Sequence, residues 1–398
     1  MYERAILWEQ GLELQESFPS PADRVWEKNE DHWVPVWIIA KRDLVRVAAT
    51  IKSNSNPIVI KILAELGAKF DCASKAEIEA VQKCGVSGDR IIYASAVKSR
   101  HYISYAKQVG IDRMTADCET ELFKIKHLFP EARVVIRIIC NSANAGMPLG
   151  LKFGCDPQKK AFELVDVAKN LGLHLHGFSF HVGSPCGDLS AYERGIRICE
   201  QLIKYARSKG CSEACMIDIG GGIPGESEFD FDKFADVLHD ATKDVDPSIE
   251  FISEPGRYYV LASTHAVACV EGKKSVIENG KKCFMYYLND GIFGSFSAKI
   301  MRTIPEILDG RKNKQVFLSK LWGPSGDPFD YVINDYLPEL EIGDWLLWKN
   351  MGAYTTVFSN SFNGFQPPSV FAYMRRSAWA ALQEELLFVK MNNANGYE

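Results

Sequence analysis

The chain has 398 residues, of which 46% are hydrophobic and 24% charged, and its formal net charge is −5. This composition excludes collagen-like, low-complexity and wholly disordered proteins. The small negative charge gives no electrostatic reason to expect nucleic acid or an anionic membrane as a partner. At this length we expect one large barrel with a second domain, or two to three domains.

The first residues and the cysteines bear on the cellular compartment. No basic segment followed by an apolar run opens the chain, so no signal peptide is predicted. The apolar stretches fall far short of the roughly 18 residues that a membrane span needs. Eleven scattered cysteines fit free thiols better than a disulfide scaffold. We therefore expect a cytoplasmic globular protein.

Residues 35–256 alternate short apolar runs rich in β-formers with helical segments. Strands are predicted at 91–94, 133–139, 175–181, 215–219 and 250–253, and helices at 74–83, 99–109, 119–128, 158–171 and 189–209. Ser74 followed by Glu77 has the capping-box spacing and marks a helix start. This alternation predicts an α/β fold, either a TIM-like (β/α)8 barrel or a doubly wound sheet.

One segment conflicts with a regular barrel. If 36–40 and 48–52 are consecutive parallel strands, only residues 41–47 are left to cross between them. Such a crossover takes at least about 10 residues. Either one of these strands is wrongly predicted, or the first crossover is shortened.

The pattern changes after residue 262. Residues 264–270, 282–288, 315–321 and 343–348 are strand-like, turn signals separate them, and long helices become rare. We interpret this region as a separate, mostly antiparallel β domain.

Four short motifs follow or interrupt apolar strands, and each also has a purely structural interpretation. Lys52 lies inside a strand pattern, where it is either an exposed edge lysine or a desolvated amine able to form a Schiff base. His181 ends a buried strand beside glycine and serine, and structural histidines are common at such positions. Gly220–Gly222 form either a flexible turn or a phosphate-binding turn. Glu254 and Arg257 form either a local ion pair or two anchors for a ligand.

Metal ligands are not recognisable. His174 and His176 alternate on one strand, and Cys211 and Cys215 lack a second close pair, so the sequence predicts no metal site. P-loop, GxSxG and dinucleotide-binding patterns are also missing from the sequence.

In combination the motifs are specific. Lys52, FDCASKAE (70–77), FHVGS (180–184), DIGGG (218–222) and EPGRYY (254–259) occur in one order, followed by YYLNDG (286–291), WGP (322–324) and NMGAY (350–354). In this order they resemble the eukaryotic ornithine decarboxylase family of fold-type III pyridoxal-phosphate decarboxylases, over residues 34–380. The motifs EPGRYY, WGP and GAY favour these decarboxylases over a racemase of the same fold type.

The resemblance implies a TIM-like barrel at 35–262 and a β domain built from both chain ends, 1–34 and 263–398. It also implies pyridoxal 5'-phosphate as cofactor, attached covalently to Lys52. Glu254 would pair with the pyridine nitrogen and His181 would stack on the ring. Ser184, Gly220, Gly221, Gly222, Arg257 and Tyr354 would hold the phosphate, and Asp71, Glu77 and Arg137 would orient the lysine and the cofactor.

The chain departs from the family at the substrate pocket. The family loop WGPTCD supplies a cysteine for protonation and an aspartate for the distal ammonium of ornithine; here the loop is WGPSGD, with Gly326 and Asp327. In the motif around Phe293, the register places Arg302 where the family has a second aspartate. An arginine there disfavours a dibasic substrate, so we expect a neutral aliphatic amino acid such as leucine. A local slip of register would instead move Arg302 to the surface and leave ornithine decarboxylation as the alternative.

The resemblance also implies partners. The family forms homodimers with shared active sites, and Lys152 and Asp330 match an ion pair across that interface. Some members are inactive and bind the regulatory protein antizyme, so a catalytically weak antizyme-binding protein is a second alternative. The matching segment, 98–129, carries Lys98, Arg100, His101, Lys107 and Arg113.

Overall fold

The computed structural model describes residues 46–142, 145–147, 149–226, 229–296, 303–308 and 315–371. The chain divides between Leu261 and Ala262 into two compact units. The predicted N-terminal segment of the β domain, residues 1–34, lies outside the described residues.

Eight parallel strands form a closed barrel in the first unit, with β1 pairing both β2 and β8. The strands are β1 (Arg46–Thr50), β2 (Lys69–Cys72), β3 (Ile91–Tyr93), β4 (Arg113–Ala116), β5 (Arg133–Ile139), β6 (His174–His181), β7 (Met216–Asp218) and β8 (Glu250–Ser253). The helices are α1 (Pro57–Glu65), α2 (Lys75–Lys83), α3 (Arg100–Gln108), α4 (Glu119–Leu128), α5 (Lys160–Asn170), α6 (Ser190–Ser208), α7 (Phe231–Thr242) and the short α8 (Arg257–Val260). The predicted α/β barrel is confirmed.

Local sequence signals explain several helix starts. Asn56 caps α1 by accepting the N–H of Ile58, and Pro57 occupies the first helical position, where its missing N–H costs nothing. Ser74 caps α2 by accepting the N–H of Glu77, as predicted. These caps fix where the chain turns from each strand end into the following helix.

Inward-facing side chains fill the barrel in layers. The middle layer contains the apolar cluster Ala48, Ile92, Val135, Met216 and Ile252, with the buried Thr115 in register with Val135 on the neighbouring strand. Nearer the amino-terminal ends of the strands, Lys69 Nζ lies 3.4 Å from Glu250 Oε1. The opposite layer, at the carboxyl ends, contains buried acids and is where a (β/α)8 barrel places its active site.

The second unit contains a six-stranded sheet in the order β11–β14–β9–β10–β12–β13. Its strands are β9 (Ala266–Glu278), β10 (Lys281–Leu288), β11 (Glu306–Ile307), β12 (Val316–Trp322), β13 (Tyr331–Pro338) and β14 (Trp345–Trp348). Only the β10–β12 pair is parallel within the described sheet. The mostly antiparallel β domain is confirmed for this part of the chain.

The predicted strand 36–40 lies outside the described residues, as does most of the segment 41–47, so the short crossover between them stays a prediction. The crossover after β1 runs from residue 51 to residue 68 and contains α1. One prediction about the first strand was wrong. Lys52 lies in the single helical turn Ile51–Ser53 that follows β1, and not inside the strand.

In the described ranges every helix is too short or too polar to cross a bilayer. All eleven cysteines lie within those ranges and are free thiols.

Candidate active site

Lys52 stands at the carboxyl-terminal mouth of the barrel, directly after β1. Its Nζ lies 2.7 Å from Asp71 Oδ2, and the lysine side chain is 48% exposed while that of Asp71 is fully buried. The hydroxyl of Thr50 also approaches Asp71 Oδ2, at 3.1 Å. A fixed carboxylate therefore holds the amine at the mouth, where a ligand can reach it.

Glu77 organises the backbone behind Asp71. Its Oε2 accepts the N–H of Ala73 at 2.6 Å, while its own N–H donates to Ser74 Oγ. Burial raises the pKa of Glu77. The geometry supports this residue as an anchor for the β2–α2 loop; its predicted role toward a cofactor stays a prediction.

His181 is the last residue of β6. Its Nδ1 accepts the N–H of Gly183 at 3.0 Å, which places the proton of the neutral ring on Nε2. Burial, together with the positive charges of Arg137 and Lys52, lowers the pKa of His181 to about 3. The imidazole is therefore neutral at physiological pH and can pack on an aromatic ring without the cost of desolvating a charge.

Glu254 follows β8 and lies beside Asp218, the last residue of β7. The two carboxyl groups lie close enough to interact electrostatically. Glu254 Oε1 and Asp218 Oδ2 are buried and have no donor among the residues that the structure describes. Burial and the neighbouring carboxylates raise the pKa of Glu254 well above its ordinary value, and burial raises that of Asp218 to about 7.

The turn Gly220–Gly222 requires glycine for steric reasons. Gly220 and Gly222 have φ angles of +65° and +95°, and a Cβ on either would lie 2.2 Å from a backbone oxygen. The N–H of Gly220 donates to Asp218 Oδ1 at 2.8 Å. Gly220 was predicted as a phosphate ligand, but this hydrogen bond leaves the amides of Gly221 and Gly222 as the candidates for that contact.

Three further predicted residues lie on the same unit as this mouth. Arg257 opens α8 and is 4% exposed. Arg137 is on β5, with its guanidinium carbon 5.7 Å from the ring centroid of Phe153. Ser184 lies on the loop after β6, where its N–H donates to Met147 O at 3.2 Å.

The remaining predicted site residues belong to the sheet unit. Phe293 packs on Phe362 with ring centroids 4.4 Å apart. Asp327 Oδ1 accepts the N–H of Phe329 at 2.8 Å. Within the described part of the chain, nothing lies within 4 Å of where a Cβ at Gly326 would stand. Tyr354 has a φ of +58°, and Arg302 lies outside the described residues.

Asp330, predicted for the dimer interface, is buried in the sheet unit. It is 1% exposed, and its two oxygens accept the N–H groups of Ile292 and Ser325 at 2.8 and 2.9 Å. Within its own domain Asp330 therefore anchors the loop backbone through both carboxylate oxygens. The predicted ion pair from Lys152 to Asp330 across a dimer interface stays a prediction.

Sequence reasoning missed Thr50 and Asp218. Thr50 Oγ1 lies 2.9 Å from Glu254 O as well as close to Asp71, so it joins β1 to the end of β8. Asp218 stands inside the glycine motif but was given no role. The sequence did contain a signal for it. Side chains two residues apart on a strand point to the same face, so Asp218 faces the barrel interior if Met216 does.

The site fits pyridoxal phosphate. The orphaned, buried Glu254 Oε1 is an acceptor suited to a protonated ring nitrogen. The Lys52 amine is accessible for covalent attachment, and the buried Arg257 and the glycine turn offer positive charge and N–H groups for a phosphate. All these residues stand at the carboxyl ends of strands of one barrel.

Comparisons with known proteins agree with this fit. The family model "Pyridoxal-dependent decarboxylase, pyridoxal binding domain" matches residues 38–261, and the C-terminal sheet domain of the same decarboxylases matches 258–352. The chain is similar to antizyme inhibitor 2 of Xenopus laevis, with 41% identity covering 84% of this chain and 76% of the relative. It is 38% identical to ornithine decarboxylase 2 of Drosophila melanogaster, over 80% of this chain and 83% of the relative. The crystal structure of Paramecium bursaria Chlorella virus arginine decarboxylase bound to agmatine matches with 34% identity and a TM-score of 0.75, covering 81% of this chain and 88% of that one.

Proposed function

Because the chain belongs to the pyridoxal-dependent decarboxylases of the ornithine decarboxylase family, we propose that it decarboxylates a neutral aliphatic α-amino acid, with leucine as first candidate. The observation that supports the decarboxylase chemistry is the buried Glu254 Oε1, an acceptor with no donor in the described structure. The substrate side of the proposal depends on Arg302 and Gly326 in the sequence.

Pyridoxal phosphate supplies the electron sink that stabilises the carbanion left by loss of CO2. The residues of this chain would hold and orient it. Lys52 would provide the amine for attachment, and Glu254 would retain the proton on the ring nitrogen. His181, neutral and held by Gly183, would pack on the ring face, while Arg257 would bind the phosphate.

Substrate selection depends on what meets the far end of the amino acid. Two unit charges roughly 6 Å apart interact by about 3 kcal/mol at an effective dielectric of about 20. Exchanging an aspartate for Arg302 would thus move ornithine binding by roughly 5 kcal/mol, before relaxation. Asp327 already accepts the N–H of Phe329, which makes its carboxylate a weaker partner for the distal ammonium of ornithine. A neutral side chain avoids an unpaired charge in this pocket.

The test is CO2 release from each of the twenty amino acids and ornithine, with purified protein saturated with pyridoxal phosphate. We expect leucine, isoleucine, valine and methionine to be used with loose selectivity, since one methylene is worth only about 1–3 kcal/mol. The matched variant Arg302→Asp should gain activity on ornithine and lose it on leucine. Ornithine as the best wild-type substrate would refute the Arg302 argument.

Antizyme binding is the second candidate function. It is favoured by the similarity to antizyme inhibitor 2, and by exposed basic side chains on α3, namely Arg100, His101 and Lys107. Two residues predicted for this surface do not belong to it: Lys98 is 3% exposed and Arg113 7% exposed. Arg113 instead donates to Asp89 O at 2.6 Å.

Calorimetry with purified antizyme tests this second function. Wild-type protein should bind, and the triple variant Arg100→Glu, His101→Glu, Lys107→Glu should bind at least tenfold more weakly. Equal binding by both proteins would assign the interaction to another surface, and no binding by either would remove this candidate.

A homodimer stays part of the proposal. Sedimentation should give about twice 44.6 kDa. Because Lys152 is predicted to pair with Asp330 across the interface, Lys152→Glu should shift that mass toward the monomer. A monomer with full activity would refute shared active sites.

A further inference from the structure

Asp218 is the one buried acid at the mouth of the barrel, within the described residues, whose function has not been assigned above. It ends β7, is fully buried, and its side chain contacts Glu254. Its Oδ1 accepts the N–H of Gly220, whose carbonyl in turn accepts the N–H of Glu254 at 2.8 Å. Backbone and side-chain bonds thus lock the two carboxyl groups against each other.

The charges around this pair do not neutralise both acids. Asp71 on β2 faces the pair, but its negative charge is already matched by Lys52 at 2.7 Å. Arg137 on β5 is a cation that acts on Asp218, and the buried thiol of Cys199 on α6 also faces it. Two carboxylates in contact inside a protein cannot both ionise cheaply, so the pair retains one proton at neutral pH.

The location of that proton depends on the cofactor. Without the cofactor, Glu254 holds the proton more strongly, because burial and the two neighbouring acids raise its pKa, whereas the N–H of Gly220 and the charge of Arg137 favour the ionised form of Asp218. A protonated ring nitrogen next to Glu254 Oε1 favours the ionised form of that residue. The proton then has one adjacent acceptor, Asp218 Oδ2, which has no donor among the described residues.

We propose that Asp218 is a positioning residue, which takes the proton from Glu254 when the protonated ring nitrogen binds and then donates a hydrogen bond to the Glu254 carboxylate. Glu254 is thereby held as an oriented anion, and a second buried negative charge is avoided. The inference rests on the cofactor of the family and is independent of the substrate proposed above.

Asparagine and leucine at position 218 separate this role from a structural one. Asparagine keeps an oxygen for the N–H of Gly220 and presents a permanent N–H donor to Glu254. Leucine has a similar size and offers neither group. Asp240→Asn, on an exposed residue of α7, is the matched control.

The first readout is the affinity of each apoprotein for pyridoxal phosphate at pH 7, from visible absorbance. We expect Asp218→Asn to bind within threefold of wild type and Asp218→Leu to bind at least tenfold more weakly. If Asp218→Asn bound the cofactor as weakly as Asp218→Leu, position 218 would have to be an anion. If Asp218→Leu bound the cofactor as tightly as wild type, residue 218 would not act on Glu254. Either result overturns the proposal.

The second readout is the thermal midpoint of the apoprotein against pH, which decides the question even if the leucine variant fails to fold. A carboxyl whose pKa is raised in the folded state contributes stability at low pH that is lost as the pH rises through about 7. Wild type and Asp240→Asn should therefore lose stability between about pH 4 and 7, and Asp218→Asn should lose less, because only Glu254 then keeps a raised pKa. An unchanged pH dependence in Asp218→Asn would refute the shared proton. Neither readout requires an amino-acid substrate, so a wrong substrate assignment leaves both results unaffected.

Discussion

Removing the charge of Glu121 should destabilise the barrel strongly, because Glu121 neutralises a fully buried lysine. Lys98 Nζ lies 2.9 Å from Glu121 Oε1, and the two side chains are 0% and 2% exposed. The ammonium also donates to the carbonyls of Ser95 and Thr115 at 3.0 and 2.5 Å. Glu121→Gln keeps the shape of the side chain but leaves this ammonium without its anion.

Removing one partner of a buried ion pair lowers the free energy of unfolding by about 3–5 kcal/mol. We expect about 3 kcal/mol here, because two carbonyl bonds remain and because burial already lowers the pKa of Lys98, which eases its deprotonation. The matched control is Lys107→Met, which breaks the exposed pair with Glu131 and should lower the free energy of unfolding far less.

Denaturant midpoints of wild type, Glu121→Gln and Lys107→Met measure these losses, with hydrogen exchange of α3 and α4 amides locating them in the barrel. The double variant Lys98→Met, Glu121→Met should recover most of the lost stability, since an apolar pair leaves no buried charge. If Glu121→Gln lowers the free energy of unfolding no more than Lys107→Met does, Lys98 is exposed to water in solution. The surface proposed for antizyme would then have to include it.

Three further outcomes are expected. Lys52→Ala should abolish the visible absorbance of the bound cofactor and reduce decarboxylation to background, while Lys61→Ala, on the surface of α1, should leave both unchanged. Gly222→Ala should weaken cofactor binding and lower the melting temperature, because its Cβ would lie 2.2 Å from Gly183 O, whereas Gly326→Ala should leave the melting temperature unchanged; equal shifts would contradict the steric argument. Burial, with Arg133 and Arg113 nearby, lowers the pKa of His176 to about 4, so stability present above about pH 6.5 should fall as the pH drops toward 4. His176→Asn should reduce that fall by up to about 2 kcal/mol between pH 6.5 and 5, and urea midpoints at the two pH values would reveal an unaltered slope.

The sequence predicted elements best where burial alone determines the pattern. The strand at 133–139 was predicted at its observed bounds, and the long helix predicted at 189–209 is observed at Ser190–Ser208. The strands β2 and β4 were missed. Each is four residues long and begins with a charged residue, Lys69 or Arg113, that interrupts the apolar run. Polar side chains that face a barrel interior are needed there for function or pairing, and they disrupt the pattern from which strands are predicted.

Site residues that lie within a motif, such as Lys52, His181 and Glu254, could be predicted individually. Contacts between residues of different motifs could not be predicted in this way. The contact of Asp218 with Glu254 joins residues 36 positions apart and depends on β7 and β8 being neighbours. Lys98 was placed on a charged surface because nothing local distinguishes a solvated lysine from one paired with Glu121 in the next helix.

The apolar cluster in the middle layer of the barrel has a kinetic consequence for the acids above it. Ala48, Ile92, Val135, Met216 and Ile252 offer no side-chain group that can relay a proton, so exchange between bulk water and the Asp218–Glu254 pair is faster through the open end than through this cluster. Pyridoxal phosphate would occupy that end when bound. Loading the cofactor would then cover that route, so a change of external pH would reach these carboxyls quickly in the apoprotein and slowly in the holoenzyme.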